Sequence, residues 1–273
     1  TLDRSSAASD VYKRQVLTRP AGRNEALAGR LHAAGWTAFI LPALEIHPLP
    51  APAASLPRPA DYDMVVFVSG NAARQYLDQL RQADGRVAWP AHVAAATVGP
   101  ASAAGLFELP GFGANTTVLH PGEHAASHDS EALWDVLCGL PQLPRRVLLV
   151  RGTQGRDWLG DQLQAHGVAV TRHAAYQRCP AHWDANQLAT LQRWAADGVT
   201  PCWLITSGEG ADAVRDALQA AGLAPWWADC GFVLTHPSLA RRVPQPAPGK
   251  ATQAMVKICL PNDESIFQAF VAA

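Results

Sequence analysis

The sequence predicts an α/β protein with two doubly wound parallel-sheet domains, one of them inserted into the other. Ten short apolar or β-branched runs alternate with helix-like segments along the 273 residues, and such alternation is typical of parallel sheets with right-handed crossovers. Ten strands would make an unusually large open sheet. A proline-rich stretch also divides the runs, so two smaller sheets are predicted.

The predicted strands are the most apolar segments of the chain. They cover residues 16–18, 39–41, 64–68, 93–98, 116–119, 147–150, 168–171, 202–206, 232–235 and 255–259. Helices are predicted over 21–34, 157–166 and 211–221, and each stops at a glycine, Gly35, Gly167 or Gly222. Glycine is a common stop signal because it adopts the left-handed conformation that ends a helix.

Two breaks set the predicted domain boundaries. Residues 47–60 contain five prolines, so this stretch cannot be a helix or a central strand. A second break lies within 173–182. Cutting at both places predicts a discontinuous first α/β domain of residues 15–46 plus 177–273, and an inserted second α/β domain of residues 47–176. Residues 1–14 have no apolar core, and we interpret them as a leader or tag-like extension rather than a signal peptide.

Composition argues against several classes of protein. The net charge is −1, so no bulk attraction to nucleic acid or to an anionic membrane surface is expected. No apolar run reaches membrane-spanning length. The five cysteines form no C-x-x-C pair, which favours a reducing cytoplasmic location over a disulfide framework or a zinc site. A glycine-rich nucleotide loop and a Walker lysine are also absent from the sequence.

Polar turns after the predicted strands are candidate anion-binding sites. The segment 147–156 reads as strand then turn, and a helix follows. Unpaired backbone N–H groups at a helix start suit an anion, and Arg151 and Arg156 could add bidentate contacts. Other strand-to-helix turns carry residues that are common N-caps, namely Ser69, Asn71, Thr206 and Ser207. Arg19 follows the first strand, where it could bind a carboxylate or simply cover the strand end.

A histidine series could suggest a metal cluster. His120, His124 and His128 are spaced four residues apart. Pro121 and Gly122 argue against a continuous helix there, so the spacing loses its meaning. No metal site is therefore predicted.

The order and spacing of several short motifs resemble the uroporphyrinogen-III synthase family over about residues 15–273. The matching segments are VLTRP (16–20), VFVSGNA (66–72), TVG (97–99), DSEAL (129–133), RGTQGR (151–156), Tyr176, ITS (205–207) and THPSLA (235–240). The resemblance implies two α/β domains joined by a two-stranded connector. The chain departs from the family pattern in the proline-rich segment 242–250 and at Ser238, where a basic residue is common.

The resemblance also implies a reaction. A family member closes the linear tetrapyrrole hydroxymethylbilane to uroporphyrinogen III, with loss of water and inversion of ring D. No metal or redox cofactor is implied. The implied partners are the substrate and, transiently, the preceding pathway enzyme that hands it over. A cytoplasmic monomer that binds neither nucleic acid nor membrane is expected.

Site residues follow from the same resemblance. Tyr176 is the implied catalytic residue, and it would hydrogen-bond or donate a proton toward the departing hydroxyl. The alternative is a half-buried strand tyrosine with a structural role only. The implied substrate contacts are Thr18, Arg19, Ser69, Asn71, Gly99, Ser102, Arg151, Gly152, Gly155, Arg156, Thr206, Ser207, His236 and Ser238. A second class of protein also fits this domain layout: a non-catalytic, two-lobed sensor that binds an anion or a metabolite.

Overall fold

The fold is described by a computed structural model, which covers residues 13–113, 116–125, 127–245 and 255–272. The chain divides into two compact units, Thr1–Glu45 with Cys179–Ala273 and Ile46–Arg178. The predicted domain limits, 46/47 and 176/177, lie within two residues of these divisions. Residues 1–12 of the predicted extension and residues 246–250 of the proline-rich departure lie outside the described residues.

Eleven strands form two sheets in the described part of the chain. The strands are β1 (Arg14–Leu17), β2 (Thr37–Ile40), β3 (Leu44–Pro48), β4 (Met64–Phe67), β5 (Ala94–Thr97), β6 (Val118–Leu119), β7 (Arg146–Gly152), β8 (Ala169–Pro180), β9 (Cys202–Ile205), β10 (Gly231–Leu234) and β11 (Val256–Ile258). Sheet 1 has the order β11-β10-β9-β1-β2, and sheet 2 has the order β3-β8-β7-β4-β5-β6.

Helices connect most of these strands. They are α1 (Glu25–Ala33), α2 (Gly70–Asp84), α3 (Pro100–Phe107), α4 (Ser130–Cys138), α5 (Trp158–Ala165), α6 (Ala185–Ala196), α7 (Gly208–Ala220), α8 (Ala224–Trp227) and α9 (Asp263–Val271). Short 3-10 turns cover Pro59–Asp61 and Pro237–Arg241.

The central strands of sheet 1, which are β1, β9 and β10, are buried on both faces, as expected of a doubly wound sheet. All its strand pairs are parallel. Side chains alternate between the faces, so Trp203 packs in one core with Val214 of α7, while Leu204 packs in the other with Leu27 of α1 and Phe270 of α9. Burial of these large apolar side chains is the main stabilising contribution to the unit.

Sheet 2 is built on the same principle. The pairs of β4 with β5 and β7, of β5 with β6, and of β7 with β8 are parallel. Phe67 of β4 faces a core with Tyr76 of α2, whereas Val66 faces the opposite core with Leu133 of α4 and Leu159 of α5. The predicted α/β class with parallel sheets is confirmed.

The described residues contain one strand more than the ten predicted, because the prediction leaves out β3, whose last two residues fall in the predicted linker 47–60. Pro48 is the last residue of β3, which lies at the edge of sheet 2, where a missing backbone donor is tolerated. Ala181 donates to the Ala43 carbonyl and Leu49 donates to the Ala175 carbonyl, so β3 and β8 run antiparallel. Each of these two strands contains one of the chain crossings between the units.

Local geometry shifts several predicted ends. Helix α1 begins at Glu25, not at residue 21, because Gly22 has a φ of 79° and cannot belong to a helix. Helix α7 begins earlier than predicted, at Gly208, because Ser207 caps it. Strand β1 begins at Arg14, which the sequence prediction places in the extension. Strand β8 continues past residue 171 to Pro180.

The start of α6 allows a stability prediction. Asp184 accepts a hydrogen bond from the Gln187 backbone at 2.8 Å, and the Gln187 side chain accepts one from the Asp184 backbone at 2.9 Å. Asp184→Ala should lower the free energy of unfolding by about 1 kcal/mol, because it leaves helix N–H groups unpaired. Urea denaturation would measure this. Asp197→Ala, at the other end of α6, is the control and should be neutral or slightly stabilising. Equal loss in both variants would contradict the capping role.

Candidate functional site

Three strand ends of sheet 2 carry predicted site residues. Since β4, β5 and β7 are parallel, their carboxyl ends meet at one edge, which is where open α/β sheets bind ligands. Ser69 follows β4 and caps α2, its Oγ accepting a hydrogen bond from the Ala72 backbone at 3.1 Å. Gly99 follows β5 and precedes α3. Gly152 is the last residue of β7.

Tyr176 lies at the same edge, on β8. Its side chain is buried, with the residue 3% exposed, and its hydroxyl lies 3.1 Å from Ser69 Oγ. The pairing of β7 with β8 shifts register here, because Arg151 is opposite Ala174 whereas Gly152 is opposite Tyr176. This bulge re-aims the tyrosine side chain.

The tyrosine ring lies directly against the Gly152 backbone. A methyl group added at Gly152 would be 3.0 Å from both Cε2 and Cζ of the ring and 3.3 Å from the hydroxyl oxygen. Glycine at this position therefore leaves the space that the ring occupies. Together with the Ser69 contact, this packing holds the hydroxyl in one orientation.

The hydrogen bonds at this hydroxyl permit proton donation. Ser69 Oγ already accepts the Ala72 N–H, and a hydroxyl has one proton to donate. If Ser69 donates that proton to the Tyr176 oxygen, the Tyr176 O–H is available to an acceptor outside this pair. The arrangement can thus supply a general acid at the N-terminus of α2.

The two arginines of the predicted anion turn are held by neighbouring groups. Arg151 belongs to β7 rather than to the turn. It forms an ion pair with Asp157 at 2.9 Å and donates to the Gly155 carbonyl at 2.6 Å. Both terminal nitrogens of Arg156 contact the Glu131 carboxylate, at 2.6 and 3.1 Å. These bonds raise the pKa of the Arg156 guanidinium. Because both terminal nitrogens are occupied, an incoming carboxylate would have to compete with Glu131.

The remaining predicted residues of sheet 2 are near helix starts. Asn71 lies in the first turn of α2, where its Oδ1 accepts from Arg74 at 3.2 Å. Ser102 lies in the first turn of α3, with its Oγ 3.9 Å from a methyl group added at Gly70. The starts of α2 and α3 are therefore adjacent. We refer to the predicted site residues of this unit as the sheet-2 group, comprising Ser69, Asn71, Gly99, Ser102, Arg151, Gly152, Gly155, Arg156 and Tyr176.

Sheet 1 presents a second set of strand ends. Strands β1, β9 and β10 are parallel neighbours, so the segments that follow them lie at one edge. Ser207 caps α7 by accepting from the Gly210 backbone at 3.0 Å. His236 Nδ1 accepts from the Ser238 backbone at 3.1 Å and lies 2.7 Å from Ser238 Oγ. The sheet-1 group comprises Thr18, Arg19, Thr206, Ser207, His236 and Ser238.

Two members of the sheet-1 group are buried. The Thr18 hydroxyl donates to the Leu204 carbonyl, so its proton is used within the sheet. Arg19 is only 8% exposed, and its Nη1 lies 2.6 Å from Asp263 Oδ1. Thr206 contributes its carbonyl, which accepts from Thr235 at 3.4 Å.

A cavity of about 420 Å³ lies beside the start of α7. It is lined by Gly208, Ser238, Leu239, Arg241 and Arg242. Arg242 pairs with Asp212 at 2.7 Å, and its Nε is 3.7 Å from a methyl group added at Gly208. Sequence reasoning missed both arginines. Their place in the chain, just after Ser238 where a basic residue is common in the family, was the available signal.

Neither a metal-binding cluster nor a membrane-spanning helix is found among the described residues. Within residues 13–113, 116–125, 127–245 and 255–272, no group of three or more histidine, cysteine or acidic side chains could hold a metal ion. His120 and His128 instead contact the carbonyls of Pro121 and Gly122. None of the helices in the described part of the chain has the length and apolar character needed to cross a membrane.

Comparison with known proteins identifies relatives of one kind. The family model described as "Uroporphyrinogen-III synthase HemD" matches residues 25–247. The uroporphyrinogen-III synthase of Escherichia coli K12 is 30% identical over 233 residues, which are 83% of this chain and 88% of that protein. The Salmonella typhimurium LT2 enzyme is 34% identical over 201 residues, which are 71% of this chain and 75% of that protein.

Solved structures agree on the fold. A mutant uroporphyrinogen III synthase from the extremely thermophilic bacterium Thermus thermophilus has a TM-score of 0.54 at 17% identity, over 95% of this chain and 97% of that one. The enzyme from Helicobacter pylori 26695 has a TM-score of 0.53 at 14% identity, over 95% of this chain and 98% of that one. With the family match over most of its length, the chain belongs to the uroporphyrinogen-III synthase family, whose members cyclise hydroxymethylbilane in tetrapyrrole biosynthesis.

Proposed function

We propose that this chain cyclises hydroxymethylbilane to uroporphyrinogen III with Tyr176 as the proton donor. The observation that supports this role is the placement of the Tyr176 hydroxyl, 3.1 Å from the Ser69 cap at the carboxyl edge of sheet 2. The ring is held against Gly152, so its hydroxyl is presented in a fixed direction. Fixed placement of a donor lowers a barrier because orientation is settled before reaction.

In the proposed reaction Tyr176 first acts as a general acid and later recovers its proton. The Tyr176 O–H gives its proton to the hydroxyl on the ring A methylene, the C–O bond breaks, and water leaves. The resulting cation is attacked by the substituted carbon of ring D, which gives a spiro intermediate. Fragmentation and re-closure then invert ring D, and the proton lost when the last pyrrole is restored can return to the tyrosinate.

Substrate binding is assigned to the other members of the sheet-1 and sheet-2 groups. Hydroxymethylbilane carries many acetate and propionate arms, and each group offers helix-start N–H donors and hydroxyls that suit carboxylates. Arg241 and Arg242, in the cavity beside α7, extend the proposed set. Because Arg151, Arg156 and Arg242 are engaged by acidic partners, we assign them the weaker contribution.

We further propose that the protein works as a cytoplasmic monomer that receives its substrate by transient hand-over from the preceding enzyme. Five free cysteines support a reducing location. Light scattering of the purified protein at working concentration measures its mass in solution and so tests whether it is monomeric. A dilution assay with the preceding enzyme tests hand-over, since captured substrate should escape spontaneous closure.

One assay tests the activity. Freshly made hydroxymethylbilane should yield mainly the type III isomer with the protein and the uninverted type I isomer without it. The same result is expected with a chelator present, because the proposed chemistry needs only proton transfer and positioning. Isomer analysis after oxidation is the measurement.

Three outcomes would contradict parts of this proposal. Type I product alone would refute the cyclising activity. Type I product with tight binding of the substrate would favour the non-catalytic sensor instead. Loss of type III product with chelator, restored by one metal, would refute the cofactor-free mechanism.

A further inference from the structure

The guanidinium of Arg19 is buried and only partly paired. Its Nη1 lies 2.6 Å from Asp263 Oδ1. Its Nε and Nη2 atoms are also buried, and among the described residues neither has a hydrogen-bond partner. These two nitrogens form one edge of the planar group, and such an edge binds a carboxylate through two parallel hydrogen bonds.

An unpaired edge of this kind is costly. Buried donors are nearly always paired, and an unpaired donor on a charged group costs more than one on a neutral group. Arginine cannot avoid this cost by losing a proton. Asp263 compensates the charge but engages only Nη1, so the Nε–Nη2 edge still lacks an acceptor.

Two neighbouring side chains in the same unit, Glu25 and Asn24, do not bond to this edge. The Glu25 carboxylate accepts from the backbone of Gly22 at 3.2 Å and of Asn24 at 2.9 Å. Asn24, itself fully buried, donates to the Arg19 carbonyl at 2.7 Å. The first contact fixes the start of α1, and the second fixes the Arg19 backbone. Neither supplies the missing acceptor.

We propose that the Nε–Nη2 edge of Arg19 binds one carboxylate arm of the substrate, and that Asp263 is the positioning residue that holds the guanidinium by Nη1. Identifying the ligand as a tetrapyrrole arm rests on the proposed function. Arg19 follows β1, at the sheet edge that also presents Ser207 and His236, so the site joins the sheet-1 group. Asp263 is 244 residues away in sequence and belongs to none of the family motifs.

Asp263 and the proposed substrate carboxylate would contact Arg19 in different surroundings. The Asp263 side chain is 39% exposed, so water screens its charge, whereas the free edge of Arg19 is dry. A carboxylate at that edge would therefore be bound by two well-aligned hydrogen bonds in a poorly screened setting. Such a site selects a planar, bidentate anion over a spherical one.

The same two helices provide a matched control. Arg30 of α1 pairs with Glu264 of α9 at 2.6 Å, and both side chains are exposed, at 41% and 64%. Exposed pairs of this kind contribute little. Glu264→Gln thus removes an ion pair one residue from Asp263 without touching Arg19.

The test uses uroporphyrin III, the oxidised and unreactive form of the product, with binding followed by tryptophan fluorescence. Arg19→Ala should weaken binding by about 10- to 100-fold, the range for charge-assisted hydrogen bonds. Arg19→Lys keeps the charge but has no bidentate edge, so it should lose most of the binding while preserving the fold. Wild-type binding by Arg19→Lys would overturn the proposal, even if Arg19→Ala does not fold.

Kinetics with hydroxymethylbilane separate positioning from simple stabilisation. Asp263→Asn should raise KM by roughly 3- to 10-fold with a smaller effect on kcat, on the scale of one charge-assisted hydrogen bond. Asp263→Glu should restore part of the loss, and adding Asp263→Asn to Arg19→Ala should bring no further loss. An Asp263→Asn variant with the same KM as Glu264→Gln would overturn the positioning role.

Different results would refute the carboxylate site at Arg19 and the cyclising activity. If the wild-type protein makes only type I product but binds uroporphyrin III through Arg19, the enzymatic proposal fails and the carboxylate site stands. If the wild-type protein makes type III product and the Arg19 variants bind uroporphyrin III normally, only the carboxylate site is refuted.

Discussion

Replacing Tyr176 by phenylalanine is expected to lower kcat by about 100-fold while the protein remains folded. The change keeps the ring that packs against Gly152 and removes only the hydroxyl, which lies 3.1 Å from Ser69 Oγ. A positioned general acid contributes about 10²–10⁴-fold. The leaving hydroxyl of the substrate is intrinsically labile, so we expect the lower end. Some type III product should persist, because substrate positioning does not depend on this proton.

Tyr76→Phe is the matched control for this experiment. Tyr76 is also buried in the same unit, and its hydroxyl donates to the Pro57 carbonyl at 2.6 Å. Its loss should lower the free energy of unfolding by about 1 kcal/mol and leave kcat near the wild-type value. If Tyr176→Phe instead loses stability and keeps wild-type turnover, Tyr176 is a structural residue and the proton donor must be sought elsewhere.

Replacing Gly152 by alanine is expected to lower kcat by at least about 10-fold. The new methyl group would lie 3.0 Å from two ring carbons of Tyr176, closer than carbon atoms pack, so the ring must move by several tenths of an ångström. Misplacing a catalytic group by about 1 Å can cost roughly 10²-fold in rate. Overpacking a buried contact should also cost about 1–3 kcal/mol of stability. Steady-state kinetics and urea denaturation of one preparation measure both effects.

Two further variants in the same unit test whether Gly152→Ala acts through Tyr176. Gly105→Ala in α3 meets nothing within 4 Å and should be neutral or stabilising, since alanine favours helix. In a Tyr176→Phe background, Gly152→Ala should cause little further loss of kcat, because the hydroxyl it displaces is already absent. A full additional loss there would mean that Gly152 acts independently of the tyrosine.

The fold class is predictable from the sequence because the strands are apolar on both faces and the helices end at glycine. Strand β3 is missed since an edge strand that ends in Pro48 does not have the composition of a buried strand. The predicted start of α1 is misplaced because the left-handed turn at Gly22 leaves no mark in the periodicity of apolar residues.

Site geometry is less accessible to sequence reasoning. Ser69 and Ser207 are expected at helix starts, because hydroxyl side chains there satisfy backbone donors, and both do cap helices. The proximity of Ser69 to Tyr176 depends on the register shift between β7 and β8, which no local pattern encodes. The pairing of Arg19 with Asp263 depends on the approach of helix α9 to the end of β1, a contact made only in the folded chain.

The strand order of sheet 1 has a consequence for how the chain folds during its synthesis. Strand β1 lies between β2 and β9, and β9 begins at Cys202. Strand β1 therefore cannot be paired on both sides until most of the chain has been synthesised. At translation rates of about 5–20 residues per second, this delay is roughly 10–40 s. The inserted unit, Ile46–Arg178, is complete before then. It therefore has time to fold before β9, the second neighbour of β1 in sheet 1, has been synthesised.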